Sequence, residues 1–552
     1  MESSLAYDVL IVGGGMAGLT AAAYLSKAGL KVLLCEKEKK VGGLVNSFDY
    51  KGFVFDGGIR GIENSGIVDP MLRQLGLEID FLANRVSIGI GKDVIGVTSR
   101  ESLGLYQELL EKNFPENKQD IAAIIKEIHK VMGYMDILYG IDNPLFMDLT
   151  DLEYVSRKIL PWMFKYVWTL PKLKKLFQPV EQYLSRFSTN QALIDIIAQH
   201  FFQKTPAYFA LSYFTLYLDY RYPRGGTGAL AKAMEQFILE HSGEIRLETE
   251  ITSVNPGRSQ AGDSRGVVFR YRKLVWAADQ KSLYRLVDLA SLTNEKVIRG
   301  IESRQKAISG KIGGDSVFTL YLTLNLDKTY FAGISNPHFF YTPSISGLSQ
   351  ANLNELLIDD RNHSLGFIDD KSLISAWLNR FLKLNTFEIS CPALRDSNLA
   401  PEGKTGLIVS VLFDYSLTKH IQAMGWYDEF RKLMTDHMVE VLEASIYPGL
   451  KAAVIDSFTS TPLAIEKISG NSEGAITGWA FTNDFMPEIL TDRAILGMAS
   501  EVIIVSDHTK FGRVCSVFVA PITTANYIIT DAGITPEIAN EMRELGIMLK
   551  IV

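Results

Sequence analysis

The sequence predicts an α/β protein built around a parallel sheet that holds a dinucleotide. Two stretches carry that expectation. Residues 7–43 (YDVLIVGGGMAGLTAAAYLSKAGLKVLLCEKEKKVGG) run strand, glycine turn, helix, strand, acidic residue and a second glycine pair; residues 222–254 run glycine turn, helix and strand. The bulk composition agrees: 552 residues, 47% hydrophobic and 22% charged, is the balance of a globular chain with two or three domains.

Asp8 to Val12 is a short apolar run, as in a parallel strand covered on both faces. Gly13, Gly15 and Gly18 then supply GxGxxG, for the tight turn, the approach of backbone to a pyrophosphate, and close helix–strand packing. The helix that opens here points its free N–H groups and positive dipole end at the phosphates, which makes Gly13, Gly14, Gly15, Met16, Ala17 and Gly18 candidate cofactor contacts. Lys31 to Cys35 is the next strand. Glu36 ends it, at the distance where a carboxylate accepts hydrogen bonds from an adenosine ribose. Three consecutive glycines and the charge cluster that follows favour this nucleotide unit over a membrane span.

After Glu36 come a basic loop, Val41-Gly42-Gly43, and Gly52 to Gly58 (GFVFDGG). This pattern resembles the FAD-binding start of the flavin amine-oxidase superfamily, and within it the phytoene desaturase, carotenoid isomerase and retinol saturase group. The resemblance covers about residues 5–485. It implies a Rossmann-like FAD-binding domain with an inserted helical and mixed-sheet substrate domain, and FAD rather than NAD as cofactor. It places Gly42 and Gly43 near the flavin side and adds Lys37, Leu44, Gly57 and Gly58 to the candidate contacts.

Residues 1–90 are the first part of that FAD domain, and 91–220 a helical substrate or membrane-contact region. Within the latter, Tyr154 to Phe187 interleaves Trp162, Phe164, Tyr166, Trp168 and Phe177 with five lysines. Such a segment suits a membrane interface. A solvated basic face over an ordinary helical core is the other reading, since three prolines break the periodicity. The resemblance favours membrane contact, because such desaturases take water-insoluble substrates.

Residues 221–290 return to the FAD domain. Tyr222 to Leu230 matches the family's YPxGGxGxL segment; without that match it would be a plain start of a helix. Glu244 to Val254 alternates as one strand, and the resemblance carries over Ile251 as a backbone contact to adenine. Arg272 to Asp279 is a strand ending in small residues, so Ala277, Ala278 and Asp279 are further carried-over contacts. Residues 291–458 form the substrate domain. There Ser316 to Asn325 alternates as a strand that either floors an apolar cavity or belongs to the core. Residues 459–490 follow the family's final return segment and are cut short.

After Trp479 the family pattern stops. Its strand and glycine-rich turn against the flavin are absent, and Gly497, Gly512, Gly533 and Gly546 stand singly. Residues 491–552 resemble instead the end of a DeoR-type repressor effector domain, with SDHTKFG at Ser506 to Gly512, VAPIT at Val519 to Thr523 and ITDAG at Ile529 to Gly533. There Asp507 to Lys510 would lie by a sugar phosphate, or Lys510 is simply a surface lysine. Val502 to Val505, Tyr527 to Ile529 and Ile547 to Ile551 read as parallel strands of a short α/β fragment. A natural fusion, a recombination event and an assembly error would each give this junction.

The net charge of −7 leaves no basic footprint for nucleic acid. Three spaced cysteines show no disulfide or zinc pattern and fit a reducing cytoplasm. No signal peptide precedes the first strand, so membrane contact would be peripheral. The eight histidines are scattered and read as structural or surface residues. No catalytic residue or metal ligand is assigned. The leading expectation is an FAD-dependent desaturase, saturase or isomerase acting on an apolar polyene or isoprenoid-like molecule. The alternatives are a non-enzymatic sugar-phosphate sensor and an inactive chimera that binds nucleotide only.

Overall fold

Two sheets organise most of the chain, and they differ in how they are covered. The computed structural model describes residues 6–147, 150–359, 365–477, 503–505, 527–530, 533–544 and 547–551. The chain divides into two units, Met1–Met135 with Pro171–Trp479, and Asp136–Leu170 with Ala480–Val552.

In the first unit, a six-stranded sheet has the order Ile251–Asn255, Gln260–Asp263, Val268–Trp276, Ala6–Val12, Val32–Cys35, Glu244–Arg246. Ala6–Val12 lies at its centre and pairs in parallel with strands on both sides. Val32–Cys35 is buried at every position, as a continuous apolar run requires. The helix Met16–Lys27 follows the first strand directly and packs on the helix Gly228–Glu240.

The single strand expected over Glu244 to Val254 is two. Glu244–Arg246 sits at one edge beside Val32–Cys35, while Ile251–Asn255 forms the opposite edge. The break has a local cause. Glu248 takes a left-handed φ of 50°, and the N–H groups of Glu248 and Thr249 bond the carbonyls of Glu38 and Glu36 at 3.0 and 2.8 Å. Those bonds pull the chain across the strand ends instead of along them.

The second sheet has seven strands, in the order Val454–Ser460, Ser316–Leu324, Thr405–Phe413, Phe387–Ser390, His338–Thr342, Val86–Ile90, Asp93–Val97. All pairs are antiparallel except His338–Thr342 with Val86–Ile90. The apolar face of Ser316–Leu324 is core. Phe318, Leu320, Leu322 and Leu324 are fully buried in one cluster with residues of the helices Lys371–Leu384 and Tyr427–Ser445. Each such side chain contributes about 1.5–3 kcal/mol. Lys371–Leu384 forms because Ile374, Trp377, Leu378 and Phe381 share one face and the Asp370 carboxylate caps the N–H groups of Ser372 and Leu373. The opposite face carries the alternate residues, among them Thr319, Ser410 and Glu388 beside Tyr321 and Ile408, which pack on Phe53 and Phe55.

In the second unit, Leu160, Phe164, Val167 and Trp168 are exposed on the helix Leu160–Leu173, the last and Phe164 at 71% each. Tyr166 is buried against Trp162, whose indole N–H bonds the Ile137 carbonyl at 2.6 Å. Among the described residues no helix is long and apolar enough to cross a membrane. Ile503–Val505, Tyr527–Thr530 and Met548–Ile551 form a parallel three-stranded sheet with the helix Pro536–Glu544, around Ile528, Met542 and Ile547. Asp507 to Lys510 and the VAPIT segment lie outside the described residues, as do 478–490 of the return segment.

Candidate flavin site

The turn after the first strand is shaped by what a side chain would strike. Gly13 has φ 103°, and a Cβ there would lie 2.8 Å from the Ala277 carbonyl oxygen. A Cβ on Gly18 would lie 1.9 Å from the Gly13 oxygen, and one on Gly14 would lie 2.9 Å from Glu36 Oε2. Gly15 is different. A Cβ there meets no atom within 4 Å, and the helix that starts at Met16 has no side-chain cap. The free N–H groups and positive end of that helix, with Met16 and Ala17 in its first turn, thus face open space that suits a phosphate.

Glu36 is 9% exposed, and its carboxylate accepts the Gly14 N–H at 2.5 Å and the Glu38 N–H at 2.9 Å. An ionised carboxylate offers about four acceptor positions, so two remain for ribose hydroxyls. The Gly42 N–H bonds the Gly14 carbonyl at 2.8 Å, and a Cβ on Gly43 would sit 3.2 Å from Gly15 Cα. Farther along, a Cβ on Gly58 would sit 2.2 Å from the Leu44 carbonyl oxygen, and the Gly57 N–H bonds the Asn46 carbonyl at 2.8 Å. Gly15, Gly43, Leu44 and Gly58 therefore follow one another as a strip of bare backbone. Its donor set and its open end fit a flavin dinucleotide.

The other expected residues are placed as follows. Ile251 is 5% exposed at the start of its strand, two residues beyond the Thr249 bond to Glu36. Ala277 packs its carbonyl on Gly13, and Ala278 is exposed beside it. Asp279 caps the helix Gln280–Leu286 through Ser282 and also accepts the Ser472 N–H at 3.1 Å. Lys37 donates to the Lys467 carbonyl at 2.7 Å. Asp279 and Lys37 thus tie the 462–474 segment to the sheet ends.

The second glycine turn is filled by protein. The buried Asp56 carboxylate accepts the Thr227 N–H at 2.9 Å, the Thr227 hydroxyl at 3.0 Å, the Tyr222 hydroxyl at 2.7 Å and the Ser47 hydroxyl at 2.8 Å. Ser47 Oγ in turn accepts the Gly228 N–H at 2.9 Å.

Beyond Gly58 lies a charged cluster that sequence reasoning did not find. Arg60 is 5% exposed; it pairs with Glu388 at 2.8 Å and donates to Ser410 at 2.7 Å. His338 is 2% exposed, with Nε2 3.1 Å from Glu388 Oε1. Burial pushes the Glu388 carboxyl up, but Arg60 and His338 outweigh it and hold it at about 2. Arg395 stacks over Tyr222 at 4.5 Å and bonds Asn84 and Ser390. Aromatic rings continue this face: Phe340 stacks on His338 at 5.0 Å and on Tyr217 at 4.8 Å. The one signal in the sequence is Arg60 itself, a cation two residues past a glycine pair in an apolar stretch. Among the described residues no group of carboxylates, cysteines and histidines could hold a metal ion.

A mixed sheet with parallel strands at its centre and an uncapped glycine turn, continued by a backbone strip toward a second sheet, defines a flavin-binding class of protein. The chain belongs to the flavin containing amine oxidoreductase family, which its residues 16–313 match. It is 22% identical over 511 residues to a chloroplastic prolycopene isomerase of Daucus carota, covering 89% of this chain and 74% of that one. It is 24% identical to a 4,4'-diapophytoene desaturase of a Methylomonas species, covering 73% and 72%. A crystal structure of an oxidoreductase from Methanosarcina mazei shares the fold at a TM-score of 0.52 and 11% identity, over 88% of this chain and 92% of that one.

Proposed function

We propose that the protein is an FAD-dependent oxidoreductase or isomerase acting on an apolar polyene or isoprenoid-like substrate. The observation that carries this reading is the bare-backbone strip from Gly15 through Gly43 to Gly58, which runs from a phosphate-competent helix end to a ring-lined sheet face. Glu36, placed for a ribose, supports FAD over a mononucleotide. The two relatives act, by their names, on carotenoid polyenes.

When bound, FAD supplies hydride acceptance or donation at its ring system. The residues of this chain position it: the backbone of Gly13 to Gly18 holds the pyrophosphate, Glu36 takes the ribose hydroxyls, and the backbone at Ile251 lies beside the adenine. Phe340, Tyr217 and Tyr220 keep water from the substrate and present ring faces to a conjugated chain. Desaturation removes a hydride and a proton from adjacent carbons, saturation adds both, and isomerisation leaves the electron count unchanged.

The test is anaerobic incubation of the FAD-loaded protein with phytoene and, separately, with prolycopene, followed by chromatography of the products. New double bonds in phytoene or geometric isomers of prolycopene support the reading. Both polyenes unchanged, with flavin bleached by a primary amine instead, would replace it with amine oxidation.

A membrane surface is the partner proposed for the helix bearing Phe164 and Trp168, because two large rings stand exposed beside Lys165 and Lys172. Co-sedimentation with anionic vesicles, lost in a Phe164→Glu/Trp168→Glu variant of unchanged melting temperature, is the expected result.

A further inference from the structure

The segment Pro462 to Gly474 is bonded to both sheets. On the side of the seven-stranded sheet, the Ser316 hydroxyl donates to the Gly474 carbonyl at 2.6 Å and the Tyr415 hydroxyl to Glu466 Oε2 at 2.7 Å. Glu466 Oε1 accepts the Glu473 N–H at 3.1 Å. On the side of the six-stranded sheet, Lys37 donates to the Lys467 carbonyl at 2.7 Å, Asp279 accepts the Ser472 N–H at 3.1 Å, and Lys281 pairs with Glu473 at 2.6 Å. Lys37 follows the strand Val32–Cys35; Asp279 and Lys281 follow Val268–Trp276. Those two strands flank Ala6–Val12, whose end carries the open glycine turn. The segment therefore crosses the carboxyl ends of all three strands, the place where open α/β sheets bind their ligands.

A dinucleotide with its pyrophosphate on the glycine turn and its ribose on Glu36 lies beneath this crossing. The crossing leaves the phosphate position free, since a Cβ on Gly15 would meet no atom within 4 Å. It is also under strain. Glu473 has φ 60° and ψ 22°, a left-handed conformation that a residue with a side chain keeps only where its surroundings hold it. Glu466 holds its N–H and Lys281 holds its carboxylate. The side chains of Lys281 and Glu473 are only 11% and 29% accessible, so their pair is shielded from salt more than a surface pair is. It is also the one charge-to-charge contact among the bonds named here, the others being single hydrogen bonds that water can replace. Breaking it frees Glu473 to leave the left-handed region, so strain and clasp oppose each other at one residue.

We infer that residues 470–474 form a strap over the dinucleotide cleft, clasped by Lys281 and Glu473, and that opening of this clasp gates both the entry and the release of FAD. The inference rests on the flavin-dinucleotide reading of the glycine turn and adds to it a control on cofactor exchange. Lys37 and Asp279 serve the same strap as its uncharged-partner anchors on either side of the turn.

The test measures two rates on the full-length protein: FAD uptake, from the change in flavin fluorescence on mixing, and FAD release, from a chase of bound radiolabelled FAD with excess unlabelled FAD. A paired Lys281→Met/Glu473→Gln variant, which leaves no charge unmatched, is expected to raise both rates about tenfold, the size of one lost charge-assisted hydrogen bond. Its FAD affinity should stay within about threefold of the unaltered protein's, because opening precedes entry and release alike. Tyr415→Phe, which loosens Glu466 and leaves the pair in place, should raise both rates by a smaller factor; it decides by itself if the paired variant does not fold. Unchanged rates overturn the inference and leave the flavin reading standing. Faster release with unchanged uptake overturns it in favour of a direct bond from the segment to FAD. No FAD bound by the unaltered protein overturns the flavin reading, and the inference with it.

Discussion

At Gly15 an added side chain would meet no atom within 4 Å, and the helix behind it lacks a side-chain cap; at Gly228 it would strike the Ser47 nitrogen at 2.6 Å, and the N–H groups of Thr227 and Gly228 already bond Asp56 and Ser47. The two turns present the same glycine-rich start of a helix, and the two helices pack on each other. One keeps its helix end open, and the other spends it on holding the chain together. The contrast teaches that a glycine motif becomes a ligand site only when no side chain of the protein has taken its donors.

The comparison can be broken from the filled side first. Asp56→Ala would strand the buried Tyr222 hydroxyl and the Thr227 N–H, and is expected to cost about 3–5 kcal/mol in urea unfolding without FAD. Acid should act on the aromatic rings beside the sheet, where His200 lies with Nδ1 3.2 Å from the Tyr217 hydroxyl and its ring 5.6 Å from Phe340. Burial holds the His200 imidazole at about 4, below the 6.5 of an unfolded chain. Its contribution is full above pH 6.5, falls as the pH drops toward 4 and is gone below that, roughly 3 kcal/mol in all. His200→Phe should flatten that part of the pH–stability curve.

Gly226→Ala meets both a φ of 105° and a contact of 2.3 Å with Ser47 Oγ, and is expected to cost about 2 kcal/mol. Its FAD affinity, measured on the fraction that stays folded, should be close to that of the unaltered protein. Gly15→Ala should do the reverse: stability without FAD within about 0.5 kcal/mol, since nothing in the protein is touched, and FAD affinity lowered about tenfold or more. Equal effects of the two substitutions on FAD affinity would erase the distinction between the turns.

The first turn was legible in the sequence because its parts are contiguous: glycines, helix, strand and Glu36 follow within one unit, and each has a local reason. The strand break at Glu248 was not legible, because its cause is a pair of bonds to carbonyls of Glu38 and Glu36. The occupant of the second turn lies 171 residues away in Asp56, which the motif GFVFDGG contains without marking it as a ligand of Thr227. Glu388 and His338 are ordinary members of alternating strands until the sheet sets them opposite Arg60. Periodicity told which strand faces are apolar; it did not tell what the other faces hold in common.

The most direct test of the account is the visible absorption spectrum of the full-length protein after reconstitution with FAD and gel filtration. The account predicts flavin bands that stay with the protein at about one FAD per chain, and that fall sharply in Gly15→Ala but not in Gly226→Ala. A colourless, folded protein, with all added FAD in the small-molecule fraction, would contradict it.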